Sequence, residues 1–222
     1  MFDEKDFLKV EFSVRGKDGA LIDSTDAEEA RKAGIYDENK RYGESLVMLQ
    51  DPRFIQGFKN ALLNAEIGKK LQANLKPAEA FGERDESLVK LLPLQKFREQ
   101  GIDPVPGLQV ALDDFRGRVQ SVSGGRVRVD LNHELAGREV SYEFTVKKRI
   151  TEAAEKAGAL ADEVFQGGLT VTLKDGVAET RAGMPALSKK GYGDRKVLLL
   201  QNAMLYIPEI TKFVWTEEFE RT

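Results

Sequence analysis

The stretch Phe54-Ile55-Gln56-Gly57-Phe58-Lys59-Asn60-Ala61-Leu62 has the spacing of a short amphipathic helix. Phe54, Phe58 and Leu62 recur every fourth residue and share one face, with Ile55 beside them. Ile67-Gly68 suits a glycine cap at its end. Upstream, Val10, Phe12 and Val14 alternate with polar residues, the period of a strand. Asp18-Gly19 then suits a type I′ hairpin, with both central residues at positive φ, and residues 20–23 suit the return strand. Residues 25–42 are polar and read as a helical turn and loop before an apolar strand at 46–49. Downstream of the helix, 69–75 reads as a strand and 77–82 as a turn.

The pattern then changes. Residues 86–94 are strand-like, and Pro93 suits the start of a short helix through Gln100, with Gly101 after its end. Residues 102–107 hold two prolines and a glycine and read as a connector. Strands follow at 110–115, 116–123 and 126–131, the last two joined at Gly124-Gly125. Val140, Tyr142, Phe144 and Val146 alternate along another strand. From Thr151 to Phe165 the chain is an alanine-rich helix. A hairpin around Asp175-Gly176, a turn-rich 183–193, a helix over 194–207 and a strand over 211–219 complete an αββαβ unit. That change of texture sets residues 151–222 apart as an expected C-terminal α+β domain.

Composition narrows the chemistry. Of 222 residues, 34 are basic and 37 acidic, a net charge of −3 that demotes a dedicated nucleic-acid binder. There is no cysteine, so disulfides, thiolate metal sites and thiol nucleophiles are excluded. His133 is the one histidine, which excludes a His–His zinc site within the chain. It is expected to serve its turn rather than a metal. No apolar leader and no run long enough for a membrane helix is visible, so a cytoplasmic protein without cofactor or metal is expected.

Several motifs, in order, carry a family resemblance. Val10–Val14 with Asp18-Gly19 and Leu21-Ile22-Asp23 resembles the first hairpin of the FKBP-type peptidyl-prolyl isomerases, the last residue standing for their pocket aspartate. Residues 54–62 resemble the family's pocket-floor helix, Ile67-Gly68-Lys69-Lys70 the strand after it, and Ala80-Phe81-Gly82 the flap. Asp85-Glu86-Ser87-Leu88-Val89 and Asn132-His133-Glu134-Leu135-Ala136-Gly137 resemble the entry and exit of an insert-in-flap domain, as in the SlyD-like group. The extended C-terminus is similar to the long archaeal type. The resemblance implies an α+β fold: an FKBP-like antiparallel sheet wrapped on a short helix over 1–85 with 131–150, a small β-rich insert at 86–130, and the C-terminal α+β domain at 151–222.

It also implies roles. Phe12, Ile22, Val47, Phe54, Ile55, Phe58, Phe81 and Tyr142 would line an isomerase pocket, and Asp23 would be its charged group. By residue type alone the apolar set fits ordinary core equally, and Asp23 fits a hairpin end. The insert would be a chaperone module that holds unfolded or nascent proline-containing polypeptides. Leu88, Val89, Leu92, Leu94, Phe97, Ile102, Val105 and Leu108 are its expected binding surface, unless they pack internally. The C-terminal domain would mediate a homodimer; membrane and nucleic-acid partners are not expected. The alternative reading is a holdase or assembly factor with little isomerase activity, because Phe12 and Phe81 stand where the family commonly has tyrosine.

Residue types so limited suffice for this reaction. Rotation about a peptide C–N bond costs roughly 18–20 kcal/mol, because resonance must be broken. A catalyst needs no nucleophile and no proton relay. It must favour the twisted amide, and an apolar cleft does so by excluding the water that favours the planar one.

Overall fold

The structure, a computed structural model, describes residues 1–112 and 115–219. In chain order, β1 (Phe7–Gly16) and β2 (Leu21–Ser24) lead to α1 (Ala27–Lys32), β3 (Ser45–Met48), α2 (Gln56–Leu63) and β4 (Lys70–Leu75). Next come β5 (Val89–Pro93), α3 (Leu94–Glu99), β6 (Gln109–Leu112), β7 (Phe115–Ser123) and β8 (Arg126–Asp130). The chain closes with β9 (Val140–Ile150), α4 (Ala153–Phe165), β10 (Leu169–Lys174), β11 (Val177–Ala182), α5 (Met184–Leu187), α6 (Tyr192–Tyr206) and β12 (Lys212–Glu217). These elements form two compact units, residues 1–74 with 141–222, and residues 75–140.

The first unit holds a mixed α and β architecture. Its larger sheet runs β2-β1-β9-β4, with β3 also paired to β1. Strand alternation sorts the faces: Val10 and Val14 of β1 and Tyr142, Phe144 and Val146 of β9 are buried. Asp18 and Gly19 do not form the expected two-residue turn. Only Gly19 has positive φ, at 80°, and the Gly16 N–H donates to the Ala20 carbonyl across a longer loop. The Asp18 side chain accepts from the Ala20 N–H, and its own φ is not positive. The α1 helix starts where Asp26 accepts from the Glu28 and Glu29 N–H groups.

Residues 151–219 share a core with the first strands. Phe7, Leu46, Met48 and Ile150 pack in one cluster with Leu160, Val164 and Phe165 of α4, Ala178 and Ala182 of β11, and Leu199 and Ala203 of α6. The alternation of β1 explains this: Phe7 and Leu8 point to opposite faces, and both are buried. The sheet β10-β11-β12 begins as a hairpin turning at Asp175 and Gly176, both at positive φ. The expected turn-rich 183–193 contains α5 and the first residues of α6. These helices bring β12 back parallel to β11, as a crossover connection allows.

The second unit holds the sheet β5-β8-β7-β6. Its core is Phe97, Val110, Val119, Val127 and Val129. The expected strand boundary after Phe115 is displaced: Phe115 opens β7, opposite Leu112 on β6. Asp113 and Asp114, read as strand, lie outside the described residues. Gly124 and Gly125 have φ of 57° and 73° and turn β7 into β8.

Candidate functional site

Three rings from separate elements meet in the first unit. Phe12 of β1 lies 5.6 Å from Phe58 of α2 and 6.0 Å from Tyr142 of β9, between ring centroids. Phe58 and Tyr142 stack at 4.3 Å, and Phe144 meets Phe58 edge-on at 5.4 Å. Val47 of β3 is fully buried. The Thr25 hydroxyl fixes the Phe12 backbone, accepting from its N–H at 2.9 Å and donating to its carbonyl at 3.2 Å.

Asp23 stands on β2 beside Val14 in register, so it shares the face that carries Phe12. The Lys40 ammonium forms an ion pair with Asp23 and donates to the Ser24 carbonyl at 2.9 Å. The Asp23 carboxylate also accepts from the Ser24 N–H at 2.8 Å. Burial, and then the Asp23 charge, push the Tyr142 hydroxyl up to about 12. Tyr142 is therefore neutral at physiological pH. Ile22 and Ile55 are half-buried, on β2 and just before α2. Phe54 lines a groove of about 630 Å³ with Leu46, Met48, Leu160 and Leu198.

Phe81 belongs to the second unit. Its ring stacks on His133 at 4.7 Å, nearly parallel. The His133 Nδ1 accepts from the Leu135 N–H at 3.2 Å. Two further ties close the root of this unit. Asp85 and Asn132 exchange reciprocal hydrogen bonds of 2.9 Å, and the Gly137 N–H donates to the Gly82 carbonyl at 2.8 Å. Arg84 pairs with Asp130.

The apolar residues expected to bind clients divide. Phe97 is fully buried at the centre of the sheet's core, so its ring is structural; the expectation that it is a surface residue is corrected. The cause is its place on α3, one turn behind Pro93, facing the sheet rather than solvent. Leu92, Leu94, Ile102 and Leu108 pack half-buried against that core. Val89 is also half-buried. Leu88 and Val105 are exposed, as is Leu91, which the expected set omitted.

Comparison with known proteins gives this geometry a context. The model of the FKBP26 insert-in-flap domain family matches residues 90–135. A short-type peptidyl-prolyl cis-trans isomerase of Methanocaldococcus jannaschii is 29% identical over 150 residues, 68% of this chain and 94% of that protein. The FKBP-type isomerase SlyD of Haemophilus influenzae is 30% identical over 145 residues, 63% of this chain and 67% of its own length. SlyD of Pasteurella multocida is 30% identical over 145 residues and 64% of its length is covered. The chain belongs to the FKBP-type peptidyl-prolyl cis-trans isomerases. Within that family it carries an insert-in-flap domain.

Membership in this class of enzymes gives the aromatic cluster its interest. Two of its neighbours escaped the reading of residues. Phe144 was visible only as part of a strand alternation. Lys40 sits 17 residues from Asp23 in a polar stretch with no local signal. No helix among the described residues is long and apolar enough to cross a membrane.

Proposed function

We propose that this FKBP-type isomerase acts on prolyl bonds of unfolded chains held by its insert. The cluster of Phe12, Phe58 and Tyr142 beside Asp23 carries the reading. It offers an apolar, water-poor floor with one neutral hydroxyl and one carboxylate at its rim. A twisted prolyl amide has lost resonance and the need for a hydrated carbonyl, so transfer onto such a floor lowers its energy relative to the planar form. Ile22 and Ile55 extend the apolar surface, and Val47 packs buried beneath it. A protease-free proline-tetrapeptide assay tests it. Acceleration that depends on Asp23 and Tyr142 supports the pocket, and no acceleration by the intact chain leaves only the holdase reading.

The chaperone role is supported by Leu88, Leu91 and Val105, which stay exposed over a small, otherwise filled core. Deleting residues 86–130 is expected to abolish suppression of aggregation while sparing tetrapeptides. Unimpaired suppression sinks the assignment.

A homodimer through residues 151–222 is proposed on the exposed apolar residues Val197, Leu198, Met204 and Leu205 of α6. Leu199 and Tyr206 are buried within the chain and take no part in it. A monomer by light scattering ends this proposal.

A further inference from the structure

The insert sheet has a face that the client-binding residues above do not explain. On β8, Val127 and Val129 point into the core, so Arg126 and Arg128 point out. The register sets Arg128 between Leu91 and Ser121, and Arg126 between Pro93 and Ser123. On β7, Val119 faces the core, so Arg118 faces out opposite Asp130, and Arg116 lies two residues before it. Gly117 between them faces inward, where a Cβ would come within 2.7 Å of the Val129 side chain. Four arginines therefore share one face of two adjacent strands, spaced along each by about 7 Å.

Among the described residues, little neutralises them. Arg116, Arg126 and Arg128 are exposed and have no carboxylate partner among the described residues. Arg118 donates through Nε to the Gly107 carbonyl. Asp130, the described carboxylate that the register puts on this face, is occupied by Arg84, Asn132 and Gln120. Burial raises its pKa, but the Asn132 hydrogen bonds and the Arg84 charge outweigh that and lower it. A chain of net charge −3 thus concentrates positive charge on its insert sheet.

Guanidinium groups meet carboxylates and phosphates in the same forked geometry. Bases of single-stranded nucleic acid are held by stacking on aromatic rings. The described residues of this face supply none; Leu91, Ser121 and Ser123 lie between the arginines instead. We propose that the arginine face Arg116–Arg118–Arg126–Arg128 binds acidic, extended polypeptide segments, so that clients rich in Asp or Glu near their prolines are preferred. This inference rests on the reading of the insert as a client-binding domain.

The test uses the full chain and two labelled unstructured peptides, one alternating Glu with Val and its Gln counterpart, in fluorescence anisotropy. Several exposed charge pairs acting together should make the Glu peptide bind about tenfold tighter at low salt, a preference lost at high salt. Arg126→Gln with Arg128→Gln should remove most of that preference, and Arg116→Gln with Arg118→Gln part of it. Each variant is compared at an unchanged Tm, which shows an intact sheet. Equal affinities for the two peptides in the parent chain overturn the inference but leave the client-binding reading standing. So does a preference that survives the arginine substitutions. Failure of both peptides, and of a permanently unfolded protein, to bind sinks that reading as well. A single-stranded oligonucleotide that binds more tightly than the Glu peptide, and loses binding in the same variants, assigns the face to nucleic acid and overturns the inference.

Discussion

Phe58 and Tyr142 stack with ring centroids 4.3 Å apart and planes 24° from parallel, one from a helix and one from the strand that crosses it. The contact makes the tyrosine ring part of the proposed floor and leaves its hydroxyl as the polar feature. Tyr142→Phe keeps the stack and removes only that hydroxyl. A neutral hydrogen bond contributes about 0.5–1.5 kcal/mol, so kcat/KM on a proline tetrapeptide should fall about 2- to 10-fold with little change in Tm. Because Tyr142 titrates near 12, the parent enzyme's kcat/KM should show no tyrosine ionisation up to about pH 10. An unaltered kcat/KM in Tyr142→Phe removes the hydroxyl from the mechanism.

The ion pair between Lys40 and Asp23 is partly exposed on both sides, so its worth is small. Its consequence lies in what the carboxylate can do. While Lys40 neutralises it, Asp23 contributes less field to the proposed pocket. Lys40→Met should therefore change kcat/KM by up to about 5-fold, in proportion to a pair worth at most about 1 kcal/mol. The same substitution should have no effect once Asp23→Asn is present. Additive effects in this double-mutant cycle contradict the coupling.

These elements differ in how far residues alone reveal them. The helix at 56–63 was legible because Phe58 and Leu62 recur at its period and both must be buried. The hairpins at Gly124-Gly125 and Asp175-Gly176 were legible from turn chemistry, whereas Asp18-Gly19 was not, since the same dipeptide also ends a longer loop. The fate of Phe97 was hidden. Half its helical face meets a sheet whose strands pair across residues 89–130, and no local spacing encodes which side of that sheet the helix takes. The shared core of residues 151–219 was hidden for a related reason: Phe7 looks like one more strand residue until α4 covers it. Lys40 depends on a loop path, which periodicity does not constrain.

The root of the insert is pinned by Asn132, whose amide accepts from the Asp85 N–H and donates to its carbonyl, both at 2.9 Å. The site is exposed, so each bond contributes at the low end of the usual range. Asn132→Ala should cost about 1–2 kcal/mol locally and speed limited proteolysis near residues 84–86 and 131–133. Tetrapeptide turnover should persist. Cleavage at the parental rate shows that the insert is held by other ties.

Asp51 is fully buried and accepts from the Arg53 backbone N–H at 2.9 Å and from its guanidinium Nε at 2.8 Å. It closes the turn that delivers Phe54 and Ile55 to the start of α2: its own N–H donates to the Met48 carbonyl, and its carbonyl accepts from the Phe54 N–H. Burial alone would raise the carboxyl pKa. The hydrogen bonds and charge of Arg53, with the charge of Lys59, outweigh it and lower the pKa. The sign follows by linkage. Above the unfolded value, near 3.9, both states are ionised and the stabilisation is complete; as pH falls toward the lower native value, the unfolded chain takes up the proton first and the stabilisation is lost. Arg53 is well exposed, which keeps the effect modest. Asp51→Asn should lower stability by about 1.5–3 kcal/mol at neutral pH, the range for hydrogen bonds to a charged group. That deficit should shrink as pH drops through about 4. Urea melts of the two proteins at pH 7 and at about pH 3 decide the matter, since a deficit that stays constant with pH would mean the carboxylate's charge contributes nothing to this turn.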